Sequence, residues 1–198
     1  MGWCLSVAGS HARRLEGQGW LERHRMTRGR GSLLVVTRRG VRMSGLAVGA
    51  PSAPAPTWWD HDCACAWTAA WLSVRQRDWR GPREVLADPK LQGEHEWLTG
   101  TGWRRSGHRP NLAVVMESGM VAIEVELQRK ADKRLRAILG LYARWLTERQ
   151  ITGLIYVCRD DAVAKRIREM GPVAGLPDGA LRLELLSTVT AEATGRPA

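Results

Sequence analysis

HRPNLAVVMESGMVAIEVELQRK, residues 108–130, is the stretch of this sequence that decides the fold. An apolar run at 112–116 and an alternating segment at 120–127 flank the tripeptide Glu-Ser-Gly. This pattern predicts two strands joined by a tight turn, because apolar runs and strict alternation are both typical of strands. The rest of the chain is expected to be organised around this hairpin.

The second strand of this hairpin carries two acidic residues. Side chains alternate along a strand, so Glu124 and Glu126 are expected on the same face, opposite the apolar positions. At i and i+2 their carboxylates lie roughly 7 Å apart and repel each other unless a cation lies between them. Lys130 and Lys133 follow closely, in a chain that has only four lysines. The placement indicates a charged site.

Periodicity and capping signals predict further elements on both sides of the hairpin. They are helices at 59–77, 131–148 and 162–170, a short helix that begins at Pro82, and strands at 153–158 and 181–186. The polar stretch 88–107 is expected to form a loop. The element order predicts an α+β or α/β core of the α-β-β-α-β type, with its first strand missing or concealed near 97–105.

The first 46 residues carry nine arginines and only two glutamates. A helix at 11–16 capped by Ser10, strands at 22–26 and 32–37, and a short helix that ends at Leu46 indicate a partial winged-helix-like module. Its helix would enter the major groove of DNA and its basic hairpin tip would reach phosphates or the minor groove. The expected DNA contacts are Arg13, Arg14, Arg25, Arg28, Arg30, Arg38 and Arg39 here, with Lys133 and Arg134 in the core. A basic hairpin that serves solubility or dimer contacts is the alternative.

Composition sets the outer limits. The chain has 198 residues and a net charge of +10, which predicts a winged-helix-like module (1–46), a Pro/Ala linker (47–57) and a core domain (58–198). No apolar run approaches the length of a membrane span. The four cysteines fit neither a disulfide framework nor a zinc site. We expect a cytoplasmic protein with no membrane partner; a homodimer is left open.

Pro-Asn at 110–111, Glu-Val-Glu at 124–126 and the basic amphipathic helix that follows resemble the core of the PD-(D/E)XK nuclease superfamily. There an Asp after Pro and a Glu on the next strand hold Mg²⁺, and a Lys two residues on helps position the attacking water. An acidic residue on an early helix often joins them. The resemblance implies a restriction-endonuclease-like core whose catalytic residues are Glu124, Glu126, Lys130, Asn111 and Glu84, with Glu124, Glu126 and Asn111 as ligands of Mg²⁺ or Mn²⁺.

The sequence departs from that signature at two positions. Asn111 stands where the superfamily has Asp, and Glu126 stands where it has Lys, so Lys130 would take the role of the lysine. A neutral amide lacks the charge that makes a hard-cation site strong. The alternative is that the two glutamates are surface carboxylates on an open sheet face, paired with Lys130, Lys133 or Arg104. The alternative for Glu84 is an ordinary solvated helix glutamate.

A wider resemblance covers most of the chain. The basic start, the proline linker, His-Asp at 61–62, Arg-Glu at 83–84, His-Arg-Pro at 108–110, Ala-Ile-Glu-Val-Glu at 122–126 and Arg-Lys at 129–130 are similar to actinobacterial proteins of the replication-relaxation family. These are plasmid- and mobile-element-associated proteins implicated in DNA replication. The resemblance implies a protein that binds double-stranded DNA.

Three functions follow as expectations. The first is a DNA-binding protein of plasmid or mobile-element replication with a degenerate metal-site core, for which Asn111 is the main support. The second is an active Mg²⁺-dependent DNA endonuclease. The third is a non-catalytic dimerising module whose arginines bind an acidic protein. Salt-sensitive DNA binding separates the first two from the third, and metal-dependent cleavage separates the second from the first.

Overall fold

The computed structural model describes residues 5–25, 31–49 and 55–195. Contacts divide the chain into two compact units, Met1–Cys63 and Ala64–Ala198. The protein is a mixed α+β structure with one mixed sheet and helices. In the described part of the chain, no helix has the length and apolar character needed to cross a membrane.

The first unit is built on a two-stranded antiparallel hairpin. Its described elements are α1 (Leu5–Gly17), β1 (Leu21–Arg25), β2 (Ser32–Val36) and α2 (Arg38–Ser44). Helix α1 starts well before Ser10, so the predicted cap at that residue is wrong. Thr37 caps α2, because its side chain accepts a hydrogen bond from the Gly40 amide at 3.1 Å. A Cβ at Gly40 would lie 2.2 Å from the Trp20 carbonyl oxygen, so glycine permits the close approach of α2.

A five-stranded mixed sheet forms the centre of the second unit. This unit includes α3 from Ala64 onward. The elements are α3 (Trp59–Val74), β3 (Asp78–Arg80), α4 (Pro82–Ala87), β4 (Gly93–Thr99), β5 (Gly102–His108), β6 (Leu112–Met116), β7 (Gly119–Glu126), α5 (Asp132–Thr147), β8 (Gly153–Cys158), α6 (Asp161–Val173), β9 (Leu181–Leu185) and α7 (Leu186–Thr194). The strand order is β3-β6-β7-β8-β9. Strand β6 runs antiparallel to β3 and β7, and β7, β8 and β9 are mutually parallel.

Both faces of this sheet are covered by helices. One core joins Ala122 of β7 and Tyr156 of β8 to the apolar faces of α5 and α6. The other joins Ile123 and Val125 of β7 to α3 and α7. The alternation predicted for the second hairpin strand is therefore confirmed, and each of its faces is buried in a different core.

The predicted elements around the central hairpin are confirmed with small shifts at their ends: α5 covers 132–147 where 131–148 was expected, and α6 is capped by Asp160. The prediction of a loop at 88–107 is wrong. Residues 93–108 form β4 and β5, which pair antiparallel with each other and make a separate two-stranded sheet. The first strand of the main sheet is β3 and does not lie near 97–105.

The β4–β5 hairpin packs against α5 at its base. A Cβ at Gly93 would lie 2.6 Å from a ring carbon of Trp145 and 2.9 Å from a methyl carbon of Leu141, so the strand backbone approaches the helix very closely. His95 is buried, and the side chain of Trp97 is partly covered. The hairpin is thereby anchored beside the end of β7 that carries the two glutamates.

Candidate functional site

Glu124 and Glu126 lie on β7, the third of the five strands, and share the face that packs against α5. Their residues are only 4% and 6% exposed. The alternative is therefore wrong in placing the carboxylates on an open surface, although the pairing with Lys130 that it predicted is present at Glu126. A buried carboxylate is costly unless it is paired or hydrogen-bonded, so the partners of these two groups decide what the site can do.

Glu124 is held by two donors from different elements. Its Oε1 lies 2.8 Å from Nε2 of His108 at the end of β5, and it also accepts a hydrogen bond from the hydroxyl of Tyr142 on α5. The same Nε2 lies 3.1 Å from the Tyr142 hydroxyl. Strand β7, the β4–β5 hairpin and α5 therefore meet at the carboxylate of Glu124.

These contacts set the charge of the group. Burial alone would raise the pKa of Glu124, but attraction to His108, hydrogen bonds from His108 and Tyr142, and the charge of Lys130 outweigh it, and the pKa lies below its ordinary value. Burial and the neighbouring carboxylate raise the pKa of Tyr142 well above its ordinary range. Near neutral pH the site therefore holds a carboxylate anion beside a protonated phenol.

Glu126 is neutralised by Lys130. The ammonium group donates to Oε2 of Glu126, four residues earlier in the chain. Burial lowers the pKa of Lys130, attraction to Glu124 acts against this, and Arg134 lowers the pKa further. The cation that two neighbouring carboxylates require is therefore supplied by this lysine.

Asn111 has a structural role in the sheet. It lies directly before β6, and its backbone amide donates to the Ile123 carbonyl at 2.9 Å. Its Oδ1 accepts from the Val125 amide at 2.7 Å. The side chain thereby continues the β6–β7 ladder beyond Leu112, the first residue of β6. The structure brings Asn111 beside the glutamate strand, as the sequence predicted, with its amide oxygen already in use.

Glu84 serves its own helix. Its Oε2 accepts a hydrogen bond from the Gly81 amide at 2.8 Å, which satisfies a backbone donor at the start of α4. The side chain is partly covered, in contrast to the solvated glutamate of the alternative interpretation. The described contacts do not join it to the cluster on β7.

The residues on β7 do not fit a hard divalent cation in this arrangement. Mg²⁺ needs near-octahedral oxygen ligation, whereas oxygens of Glu124, Glu126 and Asn111 each accept a hydrogen bond from a protein donor. A cation on Glu126 would have to displace Lys130. Throughout the described ranges, no group of three or more His, Cys, Asp or Glu side chains could hold a metal ion.

His95 forms the outer wall of the cluster. Its ring is stacked on Trp97 with centroids 5.0 Å apart and meets the His108 ring edge-on at 5.6 Å. Both ring nitrogens are buried and have no hydrogen-bond partner among the described residues. Burial, followed by the positive charges of His108, Arg134 and Lys130, lowers the pKa of His95 to about 4. The ring is therefore neutral near pH 7 and acts as a packing surface for His108.

Three members of this cluster were not identified from the sequence. The sequence shows His108 only as part of a His-Arg-Pro motif, the helical periodicity predicts Tyr142 in an apolar stripe, and the polarity around His95 predicts a loop. The signal for His108 is its position, because it ends a strand two residues before Pro110. The sequence contains no corresponding signal that connects Tyr142 with Glu124, since 18 residues separate them.

The predicted DNA-contacting residues fall into two groups. Those that are described and exposed are Arg13, Arg14, Arg25, Arg38, Arg39, Lys133 and Arg134. Arg28 and Arg30 lie outside the described residues. Arg134 also covers a ring, because its guanidinium carbon lies 5.6 Å from the centroid of Trp97. In the first unit, Arg23 is bound to Glu16 through two hydrogen bonds of 2.8 and 2.5 Å, which takes up one of the two glutamates.

No family model, curated protein or solved structure matches the chain.

Proposed function

We propose that this chain is a DNA-binding protein of plasmid or mobile-element replication whose nuclease-like core binds no catalytic metal. The observation that carries the proposal is the exposed arginine set of the first unit, on α1, β1 and α2. Arg38 and Arg39 open α2, and within the described ranges no carboxylate pairs with either. A localised excess of positive charge is the electrostatic footprint of a nucleic-acid partner.

The described geometry supports contacts to the phosphate backbone. Helix α2 starts directly after β2, and its exposed first turn carries two adjacent arginines. Arg25 ends β1 on the other side of the hairpin. Phosphate contacts of this kind fix a protein on a duplex and give an affinity that falls steeply with salt.

The test is binding of a fluorescently labelled duplex as a function of salt. Wild type is compared with Arg38→Ala/Arg39→Ala and with Lys165→Ala/Arg168→Ala, a control that removes the same charge from exposed positions of α6. The first variant should bind more weakly at every salt concentration and lose about two from the slope of log affinity against log salt, roughly one per phosphate contact. The control should retain the wild-type slope. Equal losses in both variants would contradict the proposal.

The proposal of a nuclease-like core rests on the order α3, β6, β7, α5, β8 and on the side-by-side placement of Asn111 and the glutamate strand. That a catalytic metal is lost rests on Lys130, whose ammonium already neutralises Glu126. Together with the missing charge at 111, this removes what a Mg²⁺ site needs most, free anionic oxygens.

Cleavage assays test this part separately. Supercoiled and linear DNA are incubated with Mg²⁺ or Mn²⁺ and wild type, Asn111→Asp or Glu124→Ala. Wild type is expected to bind without cutting. Cutting by wild type that Glu124→Ala abolishes would refute the proposal and establish a working endonuclease. Cutting by Asn111→Asp alone would support a core that is inactive because of one residue.

A further inference from the structure

Strand β9 forms one edge of the five-stranded sheet. Among the described strands it pairs only with β8. All five residues of β9 keep part of their surface exposed, whereas four of the six residues of β8 are buried. An exposed strand edge presents unpaired amides and carbonyls, which are a template for a further strand. The open side of β9 is therefore a surface to which another strand can be added.

This open side carries the backbone groups of the odd-numbered residues of β9. The Leu154 amide of β8 donates to the Ala180 carbonyl at 2.9 Å. Backbone groups alternate between the two sides of a strand, so those of Arg182 and Glu184 also point toward β8. The amide and carbonyl of Leu183 point away from it. The middle residue of the strand therefore offers one donor and one acceptor on the open side.

The charged side chains of β9 are arranged symmetrically around Leu183. The leucines of the strand pack on the core that α5 and α6 cover, so Arg182 and Glu184 point to the opposite face of the sheet. There the two form an ion pair, and their side chains are 59% and 15% exposed. Glu192, which Arg182 also attracts, is bound by Arg75 at 2.6 Å. The strand thus has one positive and one negative side chain, each one residue from its centre.

We propose that β9 pairs antiparallel with β9 of a second copy of this chain, around a two-fold axis at Leu183. Leu183 then exchanges two backbone hydrogen bonds with its counterpart, and Arg182 of each chain lies directly opposite Glu184 of the other. These opposed residues form non-hydrogen-bonded pairs, whose side chains lie closest together. Opposite charges across a strand pair stabilise a sheet, so the symmetry of β9 favours a second copy over an unrelated strand.

The other described strand edges of the second unit match their own copies less well. Strand β3, the opposite edge of the sheet, has only three residues, and its Arg80 is bound to Asp88. Strand β4 carries acidic residues without arginine or lysine, and strand β5 carries two arginines without an acidic residue. Two copies of either strand would bring like charges together, which destabilises a strand pair.

Mixing two charge variants tests the pairing. Arg182→Glu makes the edge acidic and Glu184→Arg makes it basic, so either variant alone opposes like charges across the two-fold axis. Sedimentation equilibrium should show wild type at twice the mass of one chain. Each variant alone should self-associate at least about 10-fold more weakly, because two stabilising cross-strand pairs become repulsive. An equimolar mixture should form dimers again, since acidic and basic edges match, and mixing cannot restore an ion pair within one chain.

Arg136→Glu is the matched control, because it makes the same charge reversal at an exposed arginine of α5. It should associate like wild type. Leu183→Pro removes the outward amide and leaves the bonds to β8, so it should be folded by circular dichroism and monomeric. This variant decides the question if a charge variant does not fold.

The inference is overturned if wild type is monomeric at every concentration reached, if the charge variants or Leu183→Pro remain dimeric, or if the mixture of folded charge variants stays monomeric. Loss of the dimer in Arg136→Glu would overturn it as well. The measurement contains no DNA, so its outcome is separate from that of the proposed function.

Discussion

Mild acid should destabilise the protein through His95. The ordinary histidine pKa of 6.5 applies to the unfolded chain, and in the folded state the pKa of His95 is about 4. Between these two pH values the unfolded chain binds a proton at His95 that the folded protein does not bind, so protonation favours unfolding. The stability that the protein has with a neutral His95 is therefore complete above pH 6.5 and is lost as the pH falls toward 4. From pH 7 to pH 5 the expected loss is about 2 kcal/mol, and the full difference is about 3 kcal/mol.

The assay is urea unfolding at pH 7 and pH 5 for wild type and His95→Phe, which keeps an aromatic ring against Trp97 but cannot be protonated. The wild-type free energy of unfolding should fall by about 2 kcal/mol more than that of the variant, or about 1 M in the urea midpoint for a typical slope. His24→Phe, which removes a histidine from the first unit, should behave like wild type. Equal pH dependence in wild type and His95→Phe would refute the assignment of a neutral, unpartnered ring.

Three further predictions concern the same core. Tyr142→Phe should lower the free energy of unfolding by about 1.5–3 kcal/mol, the value of a hydrogen bond to a charged group. Tyr156→Phe, at an equally buried tyrosine that makes no described bond to the carboxylate, should change it far less; equal effects would contradict the role given to the phenol. Lys130→Met should lower the free energy of unfolding by about 2 kcal/mol, less than the 3–5 kcal/mol of a fully buried pair. Mg²⁺ should raise the melting temperature of this variant but not that of wild type. A rise in wild type as well would show that the lysine does not block the site. Gly93→Ala should destabilise by about 1–3 kcal/mol through overpacking against α5, measured by thermal unfolding, and a neutral effect would mean that the hairpin yields easily.

The elements that the sequence predicts well are those with one dominant pattern. The run 112–116 is apolar throughout and α5 has a regular apolar stripe, so both were placed within a residue or so. Strand β3 has only three residues, Asp78, Trp79 and Arg80, and is too short for any periodicity. It is a strand because β6 offers it an edge to pair with.

The sequence pattern does not predict the β4–β5 hairpin, for a different reason. Strand β4, GEHEWLT, does alternate, but its outward positions include Glu94 and Glu96, and the polarity of the stretch suggested a loop. The inward positions, His95 and Trp97, pack on α5 and the cluster, and this tertiary contact decides the structure. The spacing of the two glutamates identifies them in the sequence, whereas the contact of His108 with Glu124 depends on how β4 and β5 fold over the sheet.

The position of β7 also determines how the cluster can move. As the third of five strands it is hydrogen-bonded on both sides, so its amides are expected to exchange with solvent only in the rarest openings of the fold. Among the described strands, β4 and β5 pair only with each other, so their opening would break no ladder of the main sheet. We therefore expect Glu124 to keep its position, and the contact between His108 and Glu124 to break when the hairpin opens. Amide hydrogen exchange that is fast in β4 and β5 and slow in β7 would show that the hairpin opens while the main sheet stays closed.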